Sequence, residues 1–279
     1  MEIKTLKGID EKRILKAFNQ AFSDYFIPFQ LIEEQLNSKM IADKVSLALS
    51  VGAFENDKLI AFILHGFDTI KGEKTIYNGG TGVIPEKRGL GLTNKMYNYI
   101  LPFLKEKGIK KIQLEVIAEN IQAIRSYEKS GFSIKRTLSC YKGEISISTI
   151  NHIVVIRTLQ EYNWDLMETF WNIYPSWQNS NNVVNELRAT NISLGAYSDN
   201  QLVGYIIFSP HNKRIQQLAI DKNFRHRKIA STLLQQLIGE YGSTLSIINV
   251  DKSDGTVHTF FKKLGFEKNV EQLEMELPL

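Results

Sequence analysis

Cysteine is almost missing from this chain: Cys140 stands alone among 279 residues. A single thiol closes no internal disulfide, so a reducing, cytoplasmic setting is expected. No histidine lies near Cys140 in the chain, and it is read as a strand residue rather than a nucleophile. Long apolar runs are missing as well. Nothing approaches the roughly eighteen uncharged residues of a membrane helix, and MEIKTLKGIDEKR, charged from its second residue, lacks the apolar core of a leader. No membrane partner is expected. Nor is there much charge of one sign. The net +4 comes from lysines and arginines dispersed among acids, so nucleic acid is not an expected partner either. What remains, 43% hydrophobic and 23% charged residues, is an ordinary globular composition, enough for one large domain or two.

The chain is written twice. SVGAFENDKLIAFI (50–63) matches SLGAYSDNQLVGYI (193–206); each reads as strand, polar tip (Asn56-Asp57 or Asp199-Asn200) and strand, the pattern of a hairpin. VIPEKRGLGLTNKMYNYI (83–100) matches AIDKNFRHRKIASTLLQQL (219–237), and NIQAIRSYEKSGF (120–132) matches DGTVHTFFKKLGF (254–266). Three matches in one order argue for duplication. The expected division is 1–145 and 146–279, with the boundary in YKGEISISTINH (141–152), although the alternation there also suits a strand running out of the first half.

Periodicity gives the halves one order of elements. In the first, a strand near 2–8 leads to a helix capped by Asp10, and a helix near 29–39 carries Phe29, Ile32 and Leu36 on one face. Strands near 46–54, 59–68 and 74–84 precede a helix from Leu90 to about Lys107. Leu92, Met96, Tyr99 or Ile100, and Phe103 face inward on it, and Pro102 lies within its pattern. A strand near 110–117, a helix from Asn120 to Ser130 and a strand through GFSIKRTLSCY complete this half. The second half has strands near 152–159, 191–198, 201–209, 213–220 and 243–250, and helices near 164–172, 181–188, 225–240 and 254–264. The fold class is α/β, a mixed α+β sheet unit built twice.

RGLGLT, Arg88 to Thr93, interrupts the passage from strand to helix. The first turn of a helix has amides without intrahelical partners, the helix dipole favours negative charge there, and glycines keep side chains away. Arg88 adds a forked cation suited to phosphate. A diphosphate could be held by several amides and one guanidinium without a metal; the alternative is that Gly89 and Gly91 serve only a tight turn. GxxxxGK[ST] is absent, and Asn94 stands where a dinucleotide fingerprint needs its third glycine, so ATP and NAD are not the expected ligands.

GVIPEKRGLGLTNKMYNYI resembles the acyl-CoA-binding signature of the GCN5-related N-acetyltransferases. Arg88 and Gly91 fit its central pattern, and Thr93 departs from it at the last small position. NIQAIRSYEKSGF is similar to the family's second signature at Asn120, Tyr127, Gly131 and Phe132. The resemblance implies two tandem acyl-CoA N-acyltransferase-like domains, each a central splayed mixed sheet flanked by helices. It also implies acetyl-CoA as co-substrate and a small-molecule or peptide amine as acceptor, with direct attack in a ternary complex. Val83 would pair with the pantetheine arm, the 88–93 amides would clasp the pyrophosphate, and Asn120 would help position the carrier. Tyr127 would protonate the departing thiolate, unless it serves only to pack against Phe132.

The base is open. Glu115 lies where the acceptor should approach, yet strand alternation also makes it an ordinary surface carboxylate; Glu119, Tyr77, His65 and water are alternatives. Lys228 replaces the central glycine of the second half, Asp254 stands for Asn120 and Phe261 for Tyr127, so that half is expected to be degenerate and the first to be catalytic. The alternative is an acyl-CoA-binding or sensing module without turnover. FWNIYPSW (170–177) reads as core and loop packing rather than an acceptor cage. Asp24, Glu33 and Glu34 suit either a cationic acceptor or solubility, and a homodimer is possible.

Overall fold

Two tight turns set the register of the sheets. Asn56, Asp57, Asp199 and Asn200 all take positive φ, from 48° to 64°. Paired left-handed residues give the turn whose twist matches an antiparallel hairpin, and Asn and Asp tolerate that conformation. Both expected hairpins therefore form.

The computed structural model describes residues 1–24 and 30–279. In chain order the first elements are β1 (Glu2–Thr5), α1 (Glu11–Ala21), α2 (Glu33–Ala42), β2 (Val51–Glu55), β3 (Lys58–Ile70), β4 (Glu73–Val83), α3 (Leu92–Glu106), β5 (Lys111–Ile117), α4 (Ile121–Lys129) and β6 (Ser133–Glu144). Then come β7 (Val155–Thr158), α5 (Trp164–Met167), α6 (Asn181–Glu186), β8 (Ile192–Ser198), β9 (Gln201–Ser209), β10 (Arg214–Ile220), α7 (Ile229–Tyr241), β11 (Thr244–Asp251), α8 (Gly255–Leu264) and β12 (Glu267–Pro278). Among the described residues no helix is long and apolar enough to cross a membrane.

Several boundaries differ from expectation. α2 starts at Glu33 rather than near 29, and Phe29 lies outside the described residues. The strand expected from 46 begins at Val51, because Leu49 and Ser50 donate their amides to Ser46 O in a turn. α3 starts at Leu92, since Gly91 is its left-handed N-cap (φ 69°), and of the alternatives Tyr99 and Ile100 it is Ile100 that is buried. Asp10 caps α1 as expected, accepting from the Lys12 amide. The helix expected near 164–172 is a single α-turn followed by a 3-10 turn. β12 had no counterpart among the expected strands.

The compact units differ from the expected division at 145/146. Met1–Lys135 with Leu273–Leu279 form one, and Arg136–Gln272 the other. In the first unit the strands run β1-β2-β3-β4-β5 and then the end of β12. Leu273, Met275 and Leu277 alternate with glutamates, and the apolar side enters the core facing α3 and α4, where Met275 is fully buried. The Leu279 amide donates to Lys110 O at 2.8 Å, and Glu276 lies 3.4 Å from Lys111. A second core, with Ile14, Phe18, Leu36 and Phe62, lies under α1 and α2. In the second unit the order is β6-β11-β10-β9-β8-β7, with β6 pairing antiparallel to β11. Each unit thus takes its last strand from the far end of the other's stretch of chain. The final strand of each sheet is chosen by edge pairing and apolar fit, not by proximity in sequence.

Candidate active site

The parallel ladder between β4 and β5 is three residue pairs long: Thr75 with Lys111, Ile76 with Ile112, and Tyr77 with Gln113. A bulge follows, at Gly79, where the register against β3 slips between Leu64–Gly80 and His65–Asn78. Such a bulge bends its strand and strengthens the twist. β4 runs on to Val83 and β5 to Ile117 without further pairing to each other, so the two strands part in the splay that the sequence resemblance implies.

The Arg88–Thr93 loop follows the free end of β4. Gly89 and Gly91 take φ of 78° and 69°, and a Cβ built on either meets nothing within 4 Å. The glycines answer to backbone conformation, not to crowding inside the fold. Leu92 and Thr93 bury their side chains and anchor the first turn of α3, while Gly89, Leu90 and Gly91 are exposed. The first-turn amides of α3, lacking intrahelical acceptors, are presented there. Arg88 does something other than what was expected. Its guanidinium binds both carboxylate oxygens of Asp24 at 2.7 Å, donates to Ala21 O at 2.9 Å and reaches Val83 O from Nε at 3.3 Å. The hydrogen bond from Arg88 holds the Asp24 carboxyl below its usual range. Arg88 therefore braces the loop against the end of β4 and the end of α1.

On the α1/α2 face of the sheet, Tyr77 donates its hydroxyl to Glu115 Oε2 at 2.5 Å. Tyr77 is 4% exposed and Glu115 half-buried, so Glu115 is not an ordinary surface carboxylate. On the opposite face Asn78 donates to Thr81 Oγ1 and to Tyr97 Oη, both at 2.8 Å, and accepts from the Gly80 amide. His65, fully buried beside Tyr97, bonds Leu49 O through Nδ1 at 2.7 Å. Burial lowers its pKa to about 4, keeping it neutral and making it a weak proton acceptor near pH 7. Tyr127 is buried on α4, edge-to-face with Phe132 at 5.7 Å. Asn120 caps α4, accepting from the Ala123 amide. Glu119 is exposed, Glu33 and Glu34 lie exposed in the first turn of α2, and Asp24 is spent on Arg88.

Sequence reasoning named Tyr77 and Glu115 separately but missed their contact. Nothing in the order of residues signals a cross-strand bond between positions 38 apart.

The second unit repeats the geometry with other side chains. β10 and β11 pair only at Arg214–Ser246 and Ile215–Ile247 before parting, with a bulge at Gln216. His226 and Lys228 take the left-handed conformations of Gly89 and Gly91, at φ 61° and 64°. Arg225 binds Ile220 O, Phe170 O and Asn172 Oδ1, the same bracing by different partners. Asn172 also donates to Asp254, the cap of α8, and holds that carboxyl below its usual range. Between the parted strands lies a cavity of about 630 Å³, lined among others by Asn179, Gln216, Asn249, Arg225 and Lys228. Counting forward equally from the two caps, Phe261 occupies the place of Tyr127; counting on equally from the pairs Tyr77–Gln113 and Arg214–Ser246, Ile248 occupies that of Glu115. Phe170 and Trp177 are core residues, and Trp171 donates to Tyr205, so FWNIYPSW is mainly packing as expected. Cys140 is buried in β6 beside Asn249.

Residues 14–132 match the Acetyltransferase (GNAT) family, and residues 158–276 match an Acetyltransferase (GNAT) domain. A GCN5-related N-acetyltransferase from Sphaerobacter thermophilus superposes with a TM-score of 0.74 at 15% identity, covering 99% of this chain and 95% of that one. A putative acetyltransferase from Pyrococcus horikoshii gives 0.70 at 16% identity, covering 100% and 89%. A tandem GNAT protein from the clavulanic acid biosynthesis pathway gives 0.72 at 10% identity, covering 99% and 98%. At these identities the solved structures speak for the fold alone; the domain matches speak for the family, whose domains support acyl transfer from acyl-CoA. With one matched domain on each of two copies of a splayed-sheet scaffold, the chain is a tandem-domain member of the GCN5-related N-acetyltransferase superfamily.

Proposed function

We propose that the first unit transfers an acetyl group from acetyl-CoA to a primary amine by direct attack. The observation that carries this reading is the left-handed Gly89/Gly91 loop, bare of side chains, set just past parted strands. The amides of residues 89–93 hold the pyrophosphate, with Arg88 fixing the loop from behind. Val83 pairs with the pantetheine arm, and Asn120, while capping α4, borders the carrier.

The acceptor amine attacks the thioester carbonyl carbon as its proton passes to the Glu115 carboxylate, directly or through water. The carbonyl electrons move onto oxygen, where main-chain donors of the parted strands stabilise them. Collapse breaks the C–S bond, and the thiolate takes the Tyr127 proton. Alignment of amine and thioester supplies much of the barrier reduction. The acceptor is a small-molecule or peptide amine, and the setting is cytoplasmic.

The experiment is thiol release from acetyl-CoA against a panel of polyamines, aminoglycosides, amino acids and peptides. Tyr127→Phe is expected to lower turnover about 10²- to 10⁴-fold while acetyl-CoA binding by calorimetry is retained. Wild-type turnover in the variant would remove Tyr127 as the acid, and coenzyme A binding without release for every amine would favour a sensor.

A second reading concerns the second unit. Its cavity between β10 and β11, with Phe261 in place of Tyr127, supports carrier binding without transfer. Calorimetry on Gly91→Glu protein tests it: residual coenzyme A binding belongs to the second unit.

A further inference from the structure

We propose that Tyr77 is a positioning residue for Glu115, holding its carboxylate ionised and aimed at the opening between β4 and β5. The inference rests on the reading of the first unit as the transferring unit and of Glu115 as its base.

Tyr77 and Gln113 form the last pair before the strands part, so the phenol sits at the root of the opening. From there its hydroxyl crosses to Glu115, one alternation further along β5, at 2.5 Å. A neutral donor on one carboxylate oxygen fixes the side-chain rotamer and favours the ionised form, because a protonated carboxyl accepts such a bond less well. Tyr77 is 4% exposed and its ring is held by the sheet, so the donor is placed before any acceptor arrives.

The duplication supplies an internal control. Counting back equally from the two bulges, Arg214 stands where Tyr77 does; counting on equally from the pairs Tyr77–Gln113 and Arg214–Ser246, Ile248 stands where Glu115 does. The second unit nonetheless forms the same parted strands. The phenol–carboxylate pair is therefore not a requirement of the splay, and its presence in the first unit calls for a reason other than folding. The unit that keeps the tyrosine hydroxyl on its last helix also keeps this pair; the unit that has Phe261 has neither.

Other charges share this face. From β5 it carries Lys111, and from β12 Glu276, 3.4 Å from Lys111, and Glu274. From α2, which packs on the same side, come Lys39 and Asp43, paired at 2.5 Å. Lys111, Lys39 and Lys44 thus each have an acid, Lys44 pairing with Asp68 at 3.1 Å, and among the described residues Tyr77 is the neutral donor turned on Glu115. As the C–N bond forms, the amine proton passes to Glu115, and Tyr77 keeps its own.

Two measurements on the full chain test the proposal. The first follows the Glu115 carboxyl by 13C NMR through a pH titration, its resonance assigned by loss in Glu115→Gln, in wild type and Tyr77→Phe. It needs no acceptor. Tyr77→Phe keeps the ring, and its thermal midpoint checks the fold. The titration is expected to move up by about one pH unit in the variant. The second is the pH profile of kcat/KM for thiol release, whose acidic limb should move by the same amount with the acetyl-CoA KM unchanged, and should gain nothing from Tyr77→Phe in a Glu115→Gln background. An unmoved Glu115 titration overturns the positioning role. A moved titration with wild-type turnover in Glu115→Gln instead overturns Glu115 as the base, and with it the purpose assigned to Tyr77.

Discussion

At one register position the first unit pairs His65 with Asn78, while the second pairs Phe208 with Ile215. The hairpin tips, the β4 and β10 bulges and the loops before α3 and α7 correspond in the two units. The first unit buries a polar cluster, with Tyr97 bonded to Asn78 and set beside His65, where the second packs hydrocarbon. Buried polar groups need partners and add less to stability than apolar packing. One scaffold thus supports both solutions, and the polar one coincides with Glu115, Tyr77 and Tyr127. Backbone conformation follows the same lesson in reverse. Gly89 and Gly91 make the left-handed loop at little steric cost, whereas His226 and Lys228 hold it against their own β-carbons.

The exchanged strand offers the largest effect by which to break the comparison. Met275 comes from the far end of the chain yet fills the first unit's core, so Met275→Ala should destabilise that unit by about 2–5 kcal/mol. Native-state hydrogen exchange should show the loss at Ile112 and Leu114 and leave Leu245 and Leu233 in the second unit protected. Equal loss in both would mean that the units do not respond separately.

Acid sharpens the polar contrast. His65 is neutral in the folded state down to about pH 4, while the unfolded chain takes up its proton near 6.5. Between those values the unfolded state binds more protons, so stability rises with pH and falls on acidification, by about 3 kcal/mol over the whole window. The second unit has Phe208 at this place and is spared this loss. Chemical denaturation at pH 7 and pH 4.5, with His65→Asn as the flattened control, checks it; an identical pH slope in the control would remove His65 as the source.

The smallest effect exchanges the loop residues. Lys228→Gly should stabilise by about 1 kcal/mol through relief of the left-handed lysine, and Gly91→Lys should cost about the same. Thermal midpoints moving in opposite directions would uphold the contrast. Unmoved midpoints would show that the loop conformation carries no strain.

Much of this was legible in residue order. The hairpin tips, the cap at Asp10, the loop at 88–93 and the duplication all rest on local chemistry: positive φ, side chains that bond nearby amides, and a repeated pattern. Three things were not. Arg88 reads as an anion ligand until Asp24 is found across its fork, because an ion pair 64 residues apart leaves no mark on either neighbourhood. The Tyr77–Glu115 bond depends on which strands neighbour each other and where they part. β12 was detectable, since Leu273, Met275 and Leu277 alternate with acids, but its destination was not.

The order of amino acids by itself determined the two copies, their elements and the loop that precedes α3, because propensity, capping and turn geometry act over a few residues. Only the tertiary structure decided which sheet receives the last strand, which acid Arg88 holds, and which carboxylate meets a phenol. Those contacts join distant parts of the chain, and they are selected by burial and edge pairing once both surfaces exist.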